Sequence, residues 1–104
     1  MIRHFSPYDQ VADEYYDPDR HPTCANFRQL AHLFISDLRR DFIFEEKLRN
    51  GRVLETGAAF SLAAEIMSRD FGNLSNLTIQ DASEAMLAHS VRWQNSLKEI
   101  YVSD

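Results

Sequence analysis

The chain has 104 residues, which fits one domain and leaves no room for two. With 44% hydrophobic and 26% charged residues it has the balance of an ordinary soluble globular protein, and nowhere do 18 apolar residues follow one another as in a membrane-spanning helix. Its net charge of -5 argues against nucleic acid as the main partner, because proteins that bind phosphate backbones usually carry a basic stripe.

The first half of the chain predicts a helical region. The polar and aromatic segment 8–17 predicts a short helix that ends before Pro18. Thr23 is expected to cap a long helix that runs to residues 48–50, and Gly51 suits the position after its end. Apolar residues at three- and four-residue steps form a stripe on this helix that is expected to face the core: Phe27, Leu30, Ala31, Phe34, Leu38 and Phe42.

The second half begins with a strand, a tight turn and a helix. Val53 and Leu54 form a short apolar run that predicts a buried strand. Ser61 is expected to cap the following helix, which runs through Phe71 and is closed by Gly72.

Two more strands follow along the chain. Residues 77–80 predict a second strand that ends at Asp81, and Ser83 is expected to cap a helix through about Leu97. Residues 100–102 predict a third strand. Because strands and helices alternate, we expect an α/β fold with a parallel sheet and right-handed crossovers.

The turn after the first strand and the tip of the second strand carry the chemical signal. A strand, a turn of small residues and a helix start form a cradle for a nucleotide-like ligand, because the backbone can approach the ligand and the helix start offers free N–H groups. Asp81 lies 20 residues after Ser61, the spacing expected for a carboxylate that accepts bonds from both ribose hydroxyls.

These segments resemble class I S-adenosylmethionine-dependent methyltransferases. Residues 53–59 are similar to the glycine-rich first motif of that family. Residues 77–87 are similar to its second motif, in which a strand ends in an acidic residue before a Ser-x-x-Met-Leu helix start. Residues 8–17 resemble the aromatic segment that closes over the cofactor, and residues 100–104 resemble the third strand.

The resemblance implies the N-terminal half of a Rossmann-like three-layer fold, with a parallel sheet of about three strands and flanking helices. Residues 1–50 would form a helical cap region and residues 51–104 a cofactor-binding βαβαβ half. In that family the first strand lies inside the sheet, so residues 53–55 would here be an unpaired edge. We expect a homo-oligomer, or a complementing chain that carries the missing half, to complete the fold.

The resemblance also implies which residues would hold S-adenosylmethionine at its methionine and ribose end. Gly57 and Ala59 would line this part of the cofactor, and Asp81 would hold the ribose hydroxyls. Glu55 would orient the turn or the amino end of the cofactor.

A second group of residues is implied at the adenine end. Ala82 and Met86 would flank the adenine ring, and Asp104 would meet its amino group. Tyr8 and Tyr16 are candidates for covering the site.

The first motif departs from the family pattern. The family usually has three glycines in this turn, whereas here only Gly57 is left and Ala59 and Ser61 occupy the other two positions. A methyl group there weakens or blocks ligand binding if the position needs a positive φ. Two functions therefore stay open: methyl transfer to an unknown, small-molecule substrate, or a catalytically inactive interaction module that assembles through its open sheet edge.

The single cysteine, Cys24, allows no intramolecular disulfide, and a reducing compartment fits best. The first residues lack the apolar run of a signal peptide, so we expect a cytoplasmic protein with neither membrane nor nucleic acid as partner. The four histidines show no metal-ligand spacing, and no metal is expected.

Overall fold

A computed structural model of the chain describes residues 6–103, and Asp104 lies outside the described residues. Its centre is a parallel sheet with the strand order β1-β2-β3, so that β1 lies at one edge. The strands are β1 (Val53–Glu55), β2 (Leu77–Asp81) and β3 (Glu99–Val102). Val53 lies opposite Leu77, and Ile79 lies opposite Ile100. The expected α/β fold with three parallel strands is confirmed.

Four α-helices lie within the described part of the chain. They are α1 (Pro22–Leu38), α2 (Phe42–Asn50), α3 (Leu62–Phe71) and α4 (Glu84–Leu87). Three 3-10 segments accompany them: Pro7–Gln10, Ala12–Glu14 and Ala88–Trp93. The short helix expected within residues 8–17 is therefore a pair of 3-10 turns.

The single long helix expected from residue 23 to about 48 is wrong, because the chain forms α1 and α2 with a break at residues 39–41. Asp41 has an extended backbone (φ -78°, ψ 124°), and its carboxylate accepts the N–H of Phe44 at 3.0 Å. This cap starts a second helix. The spacing of the apolar residues continues unchanged across the break, so periodicity alone did not reveal it.

The start of α1 and the direction of its apolar stripe also differ from expectation. The helix begins at Pro22, which suits the first helical position, and Thr23 does not cap it. The stripe expected in the core is largely exposed to solvent, because Arg28 on another side of the helix faces α3 and donates to Glu65 at 2.9 Å. The most exposed stripe residues are Phe27 (65%), Leu30 (58%), Phe34 (63%) and Phe42 (81%).

The helix expected from Ser83 through about Leu97 is shorter than predicted. Only one turn, α4, is α-helical, and the chain then tightens into a 3-10 segment that ends at Trp93. Within this segment the buried Ser90 hydroxyl donates to the carbonyl of Ala59 at 2.5 Å. Ser83 does cap α4 as expected, since its hydroxyl accepts the N–H of Met86 at 3.1 Å.

The hydrophobic core lies on one face of the sheet. Side chains alternate between the faces of a strand, so Leu77 and Ile79 point to the face that α2, α3 and α4 cover. On the opposite face Leu54 is 63% exposed and Tyr101 is 50% exposed, and the core cluster does not extend there. Residues 6–103 therefore build two of the three layers that the resemblance implies.

Candidate functional site

The turn between β1 and α3 holds three residues with a left-handed backbone. Gly57 has a φ of 59°, Ala59 a φ of 47° and Ser61 a φ of 50°. These are the three positions at which the resemblance to the methyltransferase motif places glycines. The chain thus adopts the left-handed conformation with alanine and serine at two of them, and both non-glycine residues are strained there.

Glu55 at the end of β1 stabilises this turn through hydrogen bonds. Its carboxylate accepts the hydroxyl of Ser61 at 2.7 Å and the N–H of Ala63 at 3.2 Å. Burial raises the pKa of Glu55, and these hydrogen bonds only partly oppose that shift. The Ser61 hydroxyl in turn accepts the N–H of Ala64 at 3.0 Å and caps α3, as expected. Glu55 was expected to orient either the turn or the amino end of the cofactor, and its hydrogen bonds to the turn fit the first role.

The tips of β1 and β2 are in direct contact. Asp81 accepts the N–H of Ala59 at 3.0 Å with one carboxylate oxygen and the N–H of Ser83 at 2.9 Å with the other. The neighbouring Gln80 side chain accepts the N–H of Gly57 at 3.1 Å. The amides expected to point at a ligand therefore already have partners inside the protein.

A cavity of about 280 Å³ lies beside this turn. Most of the residues implied at the cofactor site meet in its lining: Tyr8, Tyr16, Gly57, Ala59, Asp81, Ala82 and Met86. Tyr15 and Gln80 complete the lining. Glu55 is not part of the lining, and Asp104 lies outside the described residues.

Sequence reasoning missed two of the lining residues, Tyr15 and Gln80. Gln80 contacts two parts of the site. It directly precedes Asp81 at the strand tip, and its side chain bridges the turn and the end of β3, where it donates to the carbonyl of Ser103 at 2.5 Å. The signal in the sequence that could have identified it is a polar residue directly before the acidic residue at the strand end. The resemblance to the second motif covers residue 80 but implies site roles only for Asp81, Ala82 and Met86.

An aromatic row borders the cavity. Tyr8 packs edge-on against Tyr15 (5.7 Å between ring centroids), and Tyr15 packs edge-on against Tyr16 (4.9 Å). Tyr16 packs edge-on against Phe60 at 4.8 Å, so the row reaches the turn itself. Burial and a hydrogen bond with Cys24 raise the pKa of Tyr15 to about 12, so it is a neutral phenol at physiological pH.

A hydrogen bond between distant parts of the sequence joins the N-terminal segment to the site. The Ser83 hydroxyl donates to Asp9 at 2.5 Å, across 74 residues of sequence. Asp9 also accepts the N–H of Ser6 at 3.0 Å, which closes the first 3-10 turn. Ala12, in the second 3-10 turn, packs with Ala59 and Met86. The segment is therefore attached next to the strand tip that bears Asp81.

Residues 6–103 contain neither a candidate metal site nor a candidate membrane-spanning helix. No group of three or more metal-binding side chains that could hold an ion occurs among them. No helix among them is both long and apolar enough to cross a bilayer. Comparison of the chain with protein-family models, with curated proteins and with solved structures finds no match in any of the three.

Proposed function

We propose that the chain is a Rossmann-like, S-adenosylmethionine-dependent methyltransferase-like protein whose cavity receives the cofactor. The observation that carries the proposal is the contact between the Ala59 N–H and Asp81 at 3.0 Å. It joins a left-handed turn of small residues to the acidic tip of the neighbouring parallel strand. In open α/β sheets, ligands bind at the carboxyl ends of the strands, where such elements meet.

The residues present fit part of the cofactor. A cavity of about 280 Å³ is slightly smaller than the roughly 300–1,000 Å³ typical of ligand pockets, so it suits the adenosine portion with the remainder in the open mouth. A Cβ at Gly57 would meet nothing within 4 Å, so the backbone there is open to a ligand. Each Asp81 oxygen accepts one amide and keeps a second lone pair for a ribose hydroxyl.

The chain's own residues would bind and shield the cofactor. Asp81 would accept the ribose hydroxyls, and Ala82 and Met86 would pack against the adenine. Tyr8 and Tyr16 would exclude water from the mouth of the cavity. S-adenosylmethionine supplies the transferred methyl group on its sulfonium, and the protein contributes position and electrostatics. A small-molecule acceptor is the proposed substrate class.

A second candidate function is an interaction module without catalysis. Two observations on the sheet favour it: β1 lies at an edge, and Leu54 is 63% exposed on the uncovered face. In addition, the Gly57 and Ala59 amides already donate hydrogen bonds to side chains of the protein. Parallel sheets are normally covered on both faces, and an open edge strand recruits another strand. A second copy or a complementing chain would supply the missing cover.

Titration calorimetry with S-adenosylmethionine and S-adenosylhomocysteine separates the two candidates. Gly57→Leu and Gly72→Leu form a matched pair, because both glycines have a φ near 60° and a Cβ at either position would meet nothing within 4 Å. Only Gly57 lines the cavity. We expect wild type and Gly72→Leu to bind both ligands, and Gly57→Leu to lose at least tenfold in affinity. No heat of binding to wild type at millimolar ligand would refute the cofactor proposal and leave the interaction module.

A further inference from the structure

The exposed apolar side of α1 is a feature that the proposed cofactor site does not use. We define the α1 stripe as Phe27, Leu30, Leu33 and Phe34, which are 58–69% exposed. They lie along one side of the helix at steps of three, four and seven residues. A surface helix normally turns such a stripe towards its own core.

Ionic contacts hold the other side of α1 against the body of the protein. Arg28 donates to Glu65 of α3 at 2.9 Å, and its guanidinium lies 4.9 Å from the centre of the Tyr16 ring. At the end of the helix Arg39 bonds to Glu45 at 2.7 Å and also to Asp70. Rolling α1 to bury the stripe would break these contacts, so the stripe stays exposed among residues 6–103.

The charge distribution favours a second copy as the cover of the stripe. Between Thr23 and Ser36 the exposed positions of α1 bear no ionisable side chain, although the whole chain has a net charge of -5. At the C-terminal end of the helix, Arg40 pairs with Asp37 at 3.6 Å. Two copies of this acidic protein can therefore meet along α1 without bringing like charges together.

The order of residues in the stripe suits a twofold contact. With Ala31 in place of Leu33, the positions 27, 30, 31 and 34 are spaced by three, one and three residues, which is the same in both directions. An antiparallel pair of α1 helices would place Phe27 of one copy against Phe34 of the other, with Leu30 against Ala31 between them and Leu33 at the border of the contact. This is the self-complementary contact of a symmetric dimer, and the antiparallel helix dipoles also attract.

We propose that α1 is a self-association surface through which two copies of this chain form a weak, reversible dimer. Burial of about 100 Å² for each stripe side chain gives about 800 Å² for the two copies together. This lies below the roughly 1,200–2,000 Å² of stable interfaces. An area of this size is typical of weak, transient contacts, and the area alone does not set the dissociation constant.

Sedimentation equilibrium on the full chain, from about 5 to 500 µM, tests the proposal. We expect the apparent mass of wild type to rise with concentration from 12.1 kDa towards twice that value. Leu30→Glu and Leu33→Glu should weaken association at least tenfold. Gln29→Glu adds the same charge at an exposed position beside the stripe and should dimerise like wild type. Both leucines are exposed, so unchanged circular dichroism should show that the variants fold.

A mixing experiment tests the antiparallel arrangement. Phe27→Glu and Phe34→Lys should each be monomeric alone, whereas an equimolar mixture should form a heterodimer because the two new charges face each other. A wild type that stays at 12.1 kDa throughout would overturn the proposal. So would a dimer that survives Leu30→Glu and is lost in Leu54→Lys, because assembly would then use the open sheet. None of these outcomes depends on cofactor binding.

Discussion

Ala59 and Asp81 are joined by a hydrogen bond of 3.0 Å that links the turn after β1 to the tip of β2 across 22 residues of sequence. The donor is the N–H of a strained, left-handed alanine, and the acceptor is a carboxylate with only 7% of its residue surface exposed. The same carboxylate accepts the N–H of Ser83 at the start of α4. One side chain therefore fixes both the turn and the start of the next helix.

Replacing Asp81 with alanine should destabilise the protein by about 2–4 kcal/mol, because two buried N–H groups would lose a charged acceptor. Urea denaturation followed by circular dichroism measures this change. Asp37→Ala is the control: Asp37 is 77% exposed at the side chain in a surface ion pair and should shift stability by less than about 0.5 kcal/mol. Equal effects of the two substitutions would show that the Asp81 contacts do not support the turn.

Replacing Ala59 with glycine should stabilise the protein by about 0.5–1 kcal/mol. A left-handed conformation costs a non-glycine residue about 1–2 kcal/mol, and the greater freedom of glycine in the unfolded state offsets only part of the relief. Thermal and urea unfolding both report the gain. Ala64→Gly, inside α3 and fully buried, should instead destabilise by about 1 kcal/mol or more. A loss of stability in Ala59→Gly would contradict the strain at this position.

Glu55 should make stability fall as the pH rises. Its folded-state pKa is raised above 4.5 by burial, so its contribution is complete below pH 4.5 and is lost as the pH rises through the raised pKa. We expect the difference in unfolding free energy between wild type and Glu55→Gln to shrink with increasing pH over this range. Urea midpoints at a series of pH values, with the exposed Glu46→Gln as control, measure it. A difference that grows with pH would mean that the Ser61 and Ala63 hydrogen bonds outweigh burial.

The Ser83–Asp9 contact should hold the aromatic N-terminal segment over the cavity. We expect Asp9→Ala to speed hydrogen–deuterium exchange in residues 8–16 while exchange in α3 stays unchanged. Ser83→Ala should do the same and also loosen α4, because the Ser83 hydroxyl caps that helix. Unchanged exchange in Asp9→Ala would show that other contacts hold the segment, such as the packing of Ala12 against Ala59 and of Tyr16 against Phe60.

Local sequence signals located the three strands, the end of α2, both ends of α3 and the start of α4. Ser61 and Gly72 bound α3 as expected, since a capping hydroxyl and a residue able to adopt positive φ act within a few residues of themselves. Asp81 at the end of β2 could be placed for the same reason. The break at residues 39–41 was not predictable from periodicity, because the apolar spacing runs through it and the cap at Asp41 competes with a continuous helix.

The candidate site could be predicted in part. The residues at the strand tips that line the cavity follow from the motif spacing. The hydrogen-bond partners of the turn amides could not be predicted. The Gly57 and Ala59 amides donate to side chains of the neighbouring strand, and this depends on how the two strands are placed in the folded protein.

By itself, the sequence determined the alternation of strands and helices, the small-residue turn and the acidic strand tip, because each depends on neighbouring residues and their spacing. Only the tertiary structure decided which side of α1 meets the body of the protein. Arg28 pairs with Glu65 over 37 residues of sequence, and Arg39 pairs with Asp70 over 31. Such pairs form only after the chain has folded, so an apolar stripe that reads as core in the sequence lies at the surface.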